Sequence, residues 1–362
     1  MYVHNIDPFL LEFGSSGMGI RWYGLAYLTT FVMGYLFCKY LAKHGRLAMT
    51  AEQVGDFITW VAIGTMAGGR LGYCLFYSPE TFLEFTSDFP FWGVLAVHKG
   101  GMASHGGLAG VTFVCWYFGR KHGIYWRQLV DISGMIGALG IGNGRIANFI
   151  NGELFGREAP AGFEWAVKFP SEIQYWAGYQ LTKLNELTPV VKVMEGIPAL
   201  QQKMATVTAE SWDKLVFGYN YKAEARALVN QTLETMIWAT QNGYSQVASA
   251  MEPILTARYP SQLFQAGMEG YMVFIICAIV WAVPRSPGVV TGVFGIVYSI
   301  ARIIGEQYRM PDAHIGFQAL GMTRGQWLSV GMLIFSIGFI WLALKQADEK
   351  VGGWYIPKSK DS

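Results

Sequence analysis

Apolar residues along this chain fall in blocks too long for the helices of a soluble protein. Seven stretches, roughly 20–42, 54–76, 100–119, 128–150, 262–283, 288–308 and 326–345, each approach the ~20 residues that carry a helix through a bilayer core. The pattern predicts an all-α integral membrane protein with seven transmembrane helices. Several blocks are interrupted by Gly, Arg or His, as in Gly68-Gly69-Arg70-Leu71-Gly72, so the interior of the bundle is expected to be polar. Thr50 and Gln53 have the spacing of a capping box ahead of the second helix.

Between the fourth and fifth blocks the pattern changes. Residues 171–258 contain no membrane-length apolar run and carry Lys183, Glu186, Lys192, Glu195, Asp213, Lys214, Glu224 and Arg226. Leu228, Val229, Leu233, Met236 and Ile237 recur on one side of a helix that should end at Asn242-Gly243. This predicts an extramembrane, mainly helical insertion, either a spacer with an ordinary core or a docking surface. The chain then divides into 1–170 (helices 1–4 and the start of an outward arm), 171–258 (the insertion) and 259–362 (helices 5–7 and a cytoplasmic tail).

Charge orients the bundle. Lys39, Lys43 and Arg46 follow the first block, and Arg120, Lys121 and Arg127 lie between the third and fourth. Arg285 lies between the fifth and sixth, and Lys345 and Lys350 follow the last. All fall on one side, which the positive-inside rule makes cytoplasmic. The N-terminus and residues 77–99, 151–261 and 309–325 then face outward. The start of the chain lacks the basic region and short apolar core of a cleavable signal, so the first block is expected to remain as a helix.

Composition agrees. The 362 residues are 52% hydrophobic and 14% charged, against about 25% charged for soluble proteins, which argues against a soluble enzyme. A net charge of +2 gives no reason to expect a nucleic-acid partner. Cys38, Cys74, Cys115 and Cys277 are far apart inside apolar blocks, without the pairing of a zinc site or disulfide framework. No metal or cofactor is called for.

Candidate chemistry concentrates where polar residues interrupt apolar helix. The run from Gly142 to Arg157 (GNGRIANFINGELFGR) places Arg145, Asn148 and Asn151 three apart, one slanting polar stripe on a helix, with Glu153 just beyond. Gly142, Gly144, Gly152 and Gly156 allow close approach of backbone or ligand. The stripe reads as inter-helix glue or as an anion site, since an arginine fork matches a phosphate. Tyr298, Arg302 and Glu306, each four apart, share a face of the sixth block, with Arg309 and Asp312 following. Both arginine-bearing helix ends face outward in this topology and are expected to converge on one anion.

His105 lies between glycine pairs near a helix start, suited to moving a proton. His98 and His314, in loops, have weaker claims. Tyr23, in Arg21-Trp22-Tyr23-Gly24-Leu25, lies at the outer end of the first helix, where interfacial anchoring is an equally good reading. Pro260-Ser261-Gln262-Leu263 opens the fifth block, with Glu269 about two turns in.

Taken in order, WYGL at 22–25, GGR at 68–70, HGGL at 105–108, GRxxNFINGELxGR at 144–157, PSQL at 260–263 and the Tyr298…Arg302…Glu306…Arg309-Met310-Pro311-Asp312 segment resemble the prolipoprotein diacylglyceryl transferase family. Ala147 stands where that family usually has glycine, and Phe264-Gln265 replaces its usual Tyr-Glu. The resemblance implies an enzyme of the bacterial inner membrane, multi-pass, with its N-terminus outside and its C-terminus cytoplasmic. It implies transfer of a diacylglyceryl group from phosphatidylglycerol to the lipobox cysteine of a preprolipoprotein, releasing glycerol phosphate. The functional positions it implies are Tyr23, His105, Arg145, Asn148, Asn151, Glu153, Gly156, Tyr298, Arg302 and Glu306. Arg70, an intramembrane arginine among small neighbours, joins them as a substrate-binding candidate.

In chemical terms, Arg145 and Arg302 would clamp the phosphate with Asn148 and Asn151 as supporting donors, and His105, or else Glu306, would take the thiol proton. A lipid or small-anion transporter is the main rival, because buried arginines also mark substrate pathways. No inverted repeat supports it, and an intramembrane protease lacks a nucleophile suitably placed from His105.

Overall fold

The computed structural model describes residues 1–12, 19–87, 89–97, 100–204, 206–311, 318–346 and 348–354. It is mostly helical. The seven apolar blocks appear as helices α1 (Trp22–Lys43), α2 (Ala51–Phe76), α3 (Ser104–His122), α4 (Trp126–Ile150), the run of α11 (Ser261–Gln265) and α12 (Val273–Trp281), α13 (Val289–Gly305) and α14 (Arg324–Lys345). Among the described residues, three helices are long and apolar enough to cross a membrane: Trp22–Lys43, Ser261–Trp281 and Arg324–Lys345. α2, α3, α4 and α13 are diluted by the glycines and polar groups noted above.

Helix ends differ from the sequence reading by a few residues, for local reasons. α2 begins earlier because Thr50 caps it: its hydroxyl accepts from the Gln53 amide at 3.2 Å, and the Gln53 side chain accepts from the Thr50 amide at 2.9 Å. α3 runs on through Arg120, Lys121 and His122, basic residues suited to a helix C-terminus, and stops at Gly123 with φ 69°. The fifth block is a π-helical turn over Ala266–Met272 between two α-segments. There a Cβ on Gly270 would stand 2.4 Å from the Gly142 Cα, so the local widening accompanies a backbone-to-backbone approach.

The chain packs as two units. One comprises Met1–Leu25, Gly144–Gly267 and Arg302–Trp327; the other comprises Ala26–Asn143, Met268–Ala301 and Leu328–Ser362.

In the second of these, Cys38, Leu41, Phe57, Phe118, Leu129, Ile132, Met135, Val273, Cys277 and Trp281 form the core. All four cysteines are free and buried. Other large apolar side chains point outward, among them Leu28, Trp60, Phe113, Ile279, Phe335 and Trp341. α2 and α3 pack through glycines: a Cβ on Gly106 would lie 2.2 Å from the Gly68 carbonyl oxygen, and one on Gly110 2.0 Å from that of Gly64. Such small-residue seams let helices associate where burial from water gives no drive. Asp131 caps the start of α13, accepting from the Gly288 amide at 2.8 Å and the Thr291 amide at 2.7 Å.

The other unit contains residues 171–258 as a helical cluster with a core of its own. α5 (Glu172–Tyr179), α6 (Thr188–Glu195), α7 (Pro198–Met204), α8 (Ala209–Gly218), α9 (Ala223–Gln241) and α10 (Ser245–Met251) bury Trp176, Leu184, Leu187, Met194, Trp212, Leu233, Met236 and Met251. Each such side chain contributes roughly 1.5–3 kcal/mol in water. The Trp212 indole finds the Leu184 carbonyl at 2.8 Å, so its one polar group is met. α9 buries Val229, Leu233 and Met236 along one side and ends before Asn242-Gly243, as its periodicity predicts.

Short strands tie the ends of this cluster down. β4 (Val167–Lys168) lies between β1 (Tyr2–Val3), parallel to it, and β5 (Ala257–Arg258), antiparallel. β2 (Phe9–Glu12) and β3 (Gly19–Arg21) pair antiparallel just before α1.

Candidate active site

α4 ends at Ile150, and the polar run turns. Gly152 takes φ 67° and Leu154 φ 52°, a left-handed pair of positions that glycine meets without cost and leucine does not. The Glu153 amide returns to the Asn148 carbonyl at 2.9 Å, which folds Glu153 back over the last helical turn. There Asn148 donates through Nδ2 to the Tyr23 hydroxyl. Tyr23 in turn donates to Glu153 Oε2 at 3.4 Å, and Asn151 Nδ2 donates to Oε1 at 3.2 Å. Tyr23, Asn148, Asn151 and Glu153 therefore form one connected network. One donor of each asparagine goes to this network, which fixes the exposed carboxylate.

His4 supports the turn from behind. Its ring, buried at 2% exposure, lies 5.3 Å from that of Phe149 and 5.4 Å from that of Phe169. Burial lowers its pKa to about 4, partly offset by a hydrogen bond to the Phe149 backbone.

Beyond the turn, residues 156–159 run between two other segments. The Gly156 amide donates to the Tyr259 carbonyl at 3.1 Å, and the Arg157 amide donates to the Tyr308 carbonyl at 2.9 Å. A Cβ at Gly156 would stand 2.4 Å and 2.7 Å from those two carbonyl oxygens, so only glycine fits. The Arg157 guanidinium donates to the Arg309 carbonyl at 2.9 Å and to that of Glu306 at 3.3 Å. The end of the Gly142–Arg157 run and the end of α13 are thus stitched together.

At that helix end Glu306 is buried among cations. Its Oε2 lies 2.9 Å from an Arg302 nitrogen, its Oε1 3.6 Å from an Arg309 nitrogen, and the Thr323 hydroxyl donates to Oε1 at 2.9 Å. Gly325 leaves room for the pair: a Cβ there would come 3.2 Å from the Arg302 guanidinium. Arg145, on the last turns of α4, belongs to the same unit.

Two residues important to this arrangement escape a motif reading. Glu172, fully buried, accepts from the Thr256 amide at 2.7 Å and pairs with the Arg258 guanidinium. Arg258 also donates to the Gly156 carbonyl at 3.1 Å and lies 4.8 Å over the Phe155 ring. Glu172 looks like any surface charge of the insertion in sequence. The only hint at Arg258 is its place two residues before Pro260-Ser261-Gln262-Leu263.

His105, Tyr298 and Arg70 belong to the other unit. His105 is exposed in the first turn of α3. Tyr298 stacks on Phe294 at 5.7 Å between centroids. Arg70 is buried, and its guanidinium donates to the carbonyls of Val94 (2.9 Å), Gly100 (2.5 Å), Gly101 (3.1 Å) and Gly93 (2.7 Å). Those bonds fasten the loop before α3 to α2. His98, His314 and Asp312 lie outside the described residues.

Bilayer-length apolar helices together with a buried arginine–carboxylate cluster at helix ends define a helical membrane protein with a polar site. Comparison with known proteins gives the family. The profile described as prolipoprotein diacylglyceryl transferase matches residues 8–342, and the chain belongs to that family of transferases. It is 45% identical over 352 residues to the phosphatidylglycerol–prolipoprotein diacylglyceryl transferase of Bdellovibrio bacteriovorus, covering 97% of each chain. The enzyme of the same name from Neisseria gonorrhoeae is 31% identical, over 95% of this chain and 98% of its own. That of Bradyrhizobium diazoefficiens is 31% identical, over 94% and 92%.

Proposed function

We propose that this protein transfers the diacylglyceryl group of phosphatidylglycerol to the lipobox cysteine of a preprolipoprotein, at the cluster built from the α4 end and the α13 end. The observation that carries this reading is the bonding of the Arg157 guanidinium to the Glu306 and Arg309 carbonyls, which ties the end of the Gly142–Arg157 run to the helix end where Arg302 and Arg309 surround the Glu306 carboxylate.

In the reaction, the cysteine sulfur forms a bond to the terminal glyceryl carbon of the lipid, and the carbon–oxygen bond to phosphate breaks. The electron pair leaves on the phosphate oxygen as glycerol phosphate, and the thiol proton passes to a base. Arg145 and Arg302 hold the phosphate and offset its growing charge. Glu306, engaged by Arg302, Arg309 and Thr323, aims the guanidinium groups. His105 is the first choice to take the thiol proton and Glu306 the second. The Tyr23–Asn148–Glu153–Asn151 network shapes the lipid headgroup site, Gly156 lets the neighbouring segments close behind it, and Tyr298 contributes to substrate binding. Arg70 acts through the loop it holds.

The protein spans the bacterial inner membrane seven times, N-terminus outside and C-terminus in the cytoplasm, with the 171–258 insertion and the site on the outer side. The basic loops and the apolar outward faces of α1, α12 and α14 support this topology. Purified protein incubated with phosphatidylglycerol and a lipobox peptide should add one diacylglyceryl unit to the peptide by mass spectrometry, and none to a peptide with serine for cysteine. Unchanged peptide mass under conditions where the lipid is accessible would refute the reading.

A further inference from the structure

α11 carries a polar face that the mechanism above does not use. Ser261, Gln262 and Gln265 are all fully buried. The Ser261 hydroxyl donates to the Leu154 carbonyl at 3.3 Å and Gln262 Nε2 to the Glu153 carbonyl at 2.6 Å, so this face is turned to the Gly152–Gly156 turn. Gln265, four residues beyond Ser261 and three beyond Gln262, shares it.

Among the described residues, neither Gln265 Nε2 nor Gln265 Oε1 makes a hydrogen bond, and the same holds for Gln262 Oε1 and Asn151 Oδ1, all of them buried atoms. Two of these amides have a determined orientation. Gln262 and Asn151 both give their nitrogens to acceptors on Glu153, its carbonyl and its Oε1, which leaves their oxygens as the unmet atoms. Buried polar atoms are costly to leave unmet, so such a group calls for a polar partner. The set offers at least two acceptors, plus one donor and one acceptor from Gln265. A phosphate, which only accepts, does not match it. A diol, which donates twice and accepts, does.

We infer that Asn151, Gln262 and Gln265 form a neutral amide subsite for the hydroxyl-bearing end of the lipid headgroup, the glycerol that leaves with the phosphate. This rests on the reading that phosphatidylglycerol is the donor lipid. The arginines then hold the charge of the headgroup, and the amides select its hydroxyls.

The test compares two donor lipids with the purified full-length protein and a lipobox peptide: phosphatidylglycerol and phosphatidylethanol, which has the same phosphodiester without headgroup hydroxyls. The ratio of kcat/KM for the two lipids cancels the amount of folded protein. Wild type should favour phosphatidylglycerol. Gln265→Leu should reduce that preference about tenfold, the scale of one or two neutral hydrogen bonds, with phosphatidylethanol turnover unchanged. Gln265→Met, of closer length, should do the same if the leucine variant does not fold. A wild-type ratio in either variant, or equal use of both lipids by wild type, would overturn the subsite. No product from either lipid would overturn the donor-lipid reading beneath it.

Discussion

Glu172 is sealed from solvent, and Arg258 is the cation that keeps it company there. Removing one member of a buried ion pair leaves the other charged and unpartnered, at a cost of about 3–5 kcal/mol. Glu172→Ala should therefore lower the thermal unfolding temperature of the detergent-purified protein by many degrees and loosen Gly156, whereas Glu186→Ala on the same insertion should be near neutral. His4 gives a pH signature. Its folded pKa of about 4 lies below the ordinary 6.5, so the unfolded chain binds the proton first on acidification. Its contribution is fully present above pH 6.5 and is lost as pH falls toward 4, reaching about 3 kcal/mol at 1.36 kcal/mol per pH unit. Unfolding midpoints across that window should fall less steeply for His4→Phe than for wild type. Neither residue was legible as important in the sequence, because a partner more than eighty positions away decides Glu172 and two aromatic rings decide His4. Arg145, Arg302 and Glu306 stand out in the sequence as candidates, since an ionisable group in or at the end of an apolar helix is conspicuous wherever it packs.

The helices themselves were the most readable level. Each apolar block became a helix, because length and hydrophobicity are local properties. Their seams were not readable: nothing in the sequence says that Gly64 and Gly68 face Gly110 and Gly106. Gly110→Leu should drive a side chain into the α2 backbone and destabilise by several kcal/mol, on the scale of severe overpacking. Gly137→Ala, which meets nothing within 4 Å, should be neutral or slightly stabilising. Thermal unfolding of the two variants in the same detergent checks this, and equal loss in both would remove the seam from the account. The π-turn at Ala266–Met272, which accompanies the approach of Gly270 to Gly142, likewise escapes periodicity.

At the scale of the whole molecule, the basic loops give an orientation that a reporter can read. A fluorescent protein fused at the C-terminus should be bright and a periplasm-dependent phosphatase fused there inactive; the reverse would invert the topology. The reaction itself depends on one claim above others, that two arginines hold the lipid phosphate as its charge grows. Arg145→Ala and Arg302→Ala should each insert in the membrane as wild type does while thioether formation falls by about 10²–10³, the usual effect of losing a positioned charge-stabilising donor. Product mass per inserted enzyme, measured with phosphatidylglycerol and a lipobox peptide, decides it. A loss of that size in both variants is the expected result; wild-type turnover in both would contradict the clamp.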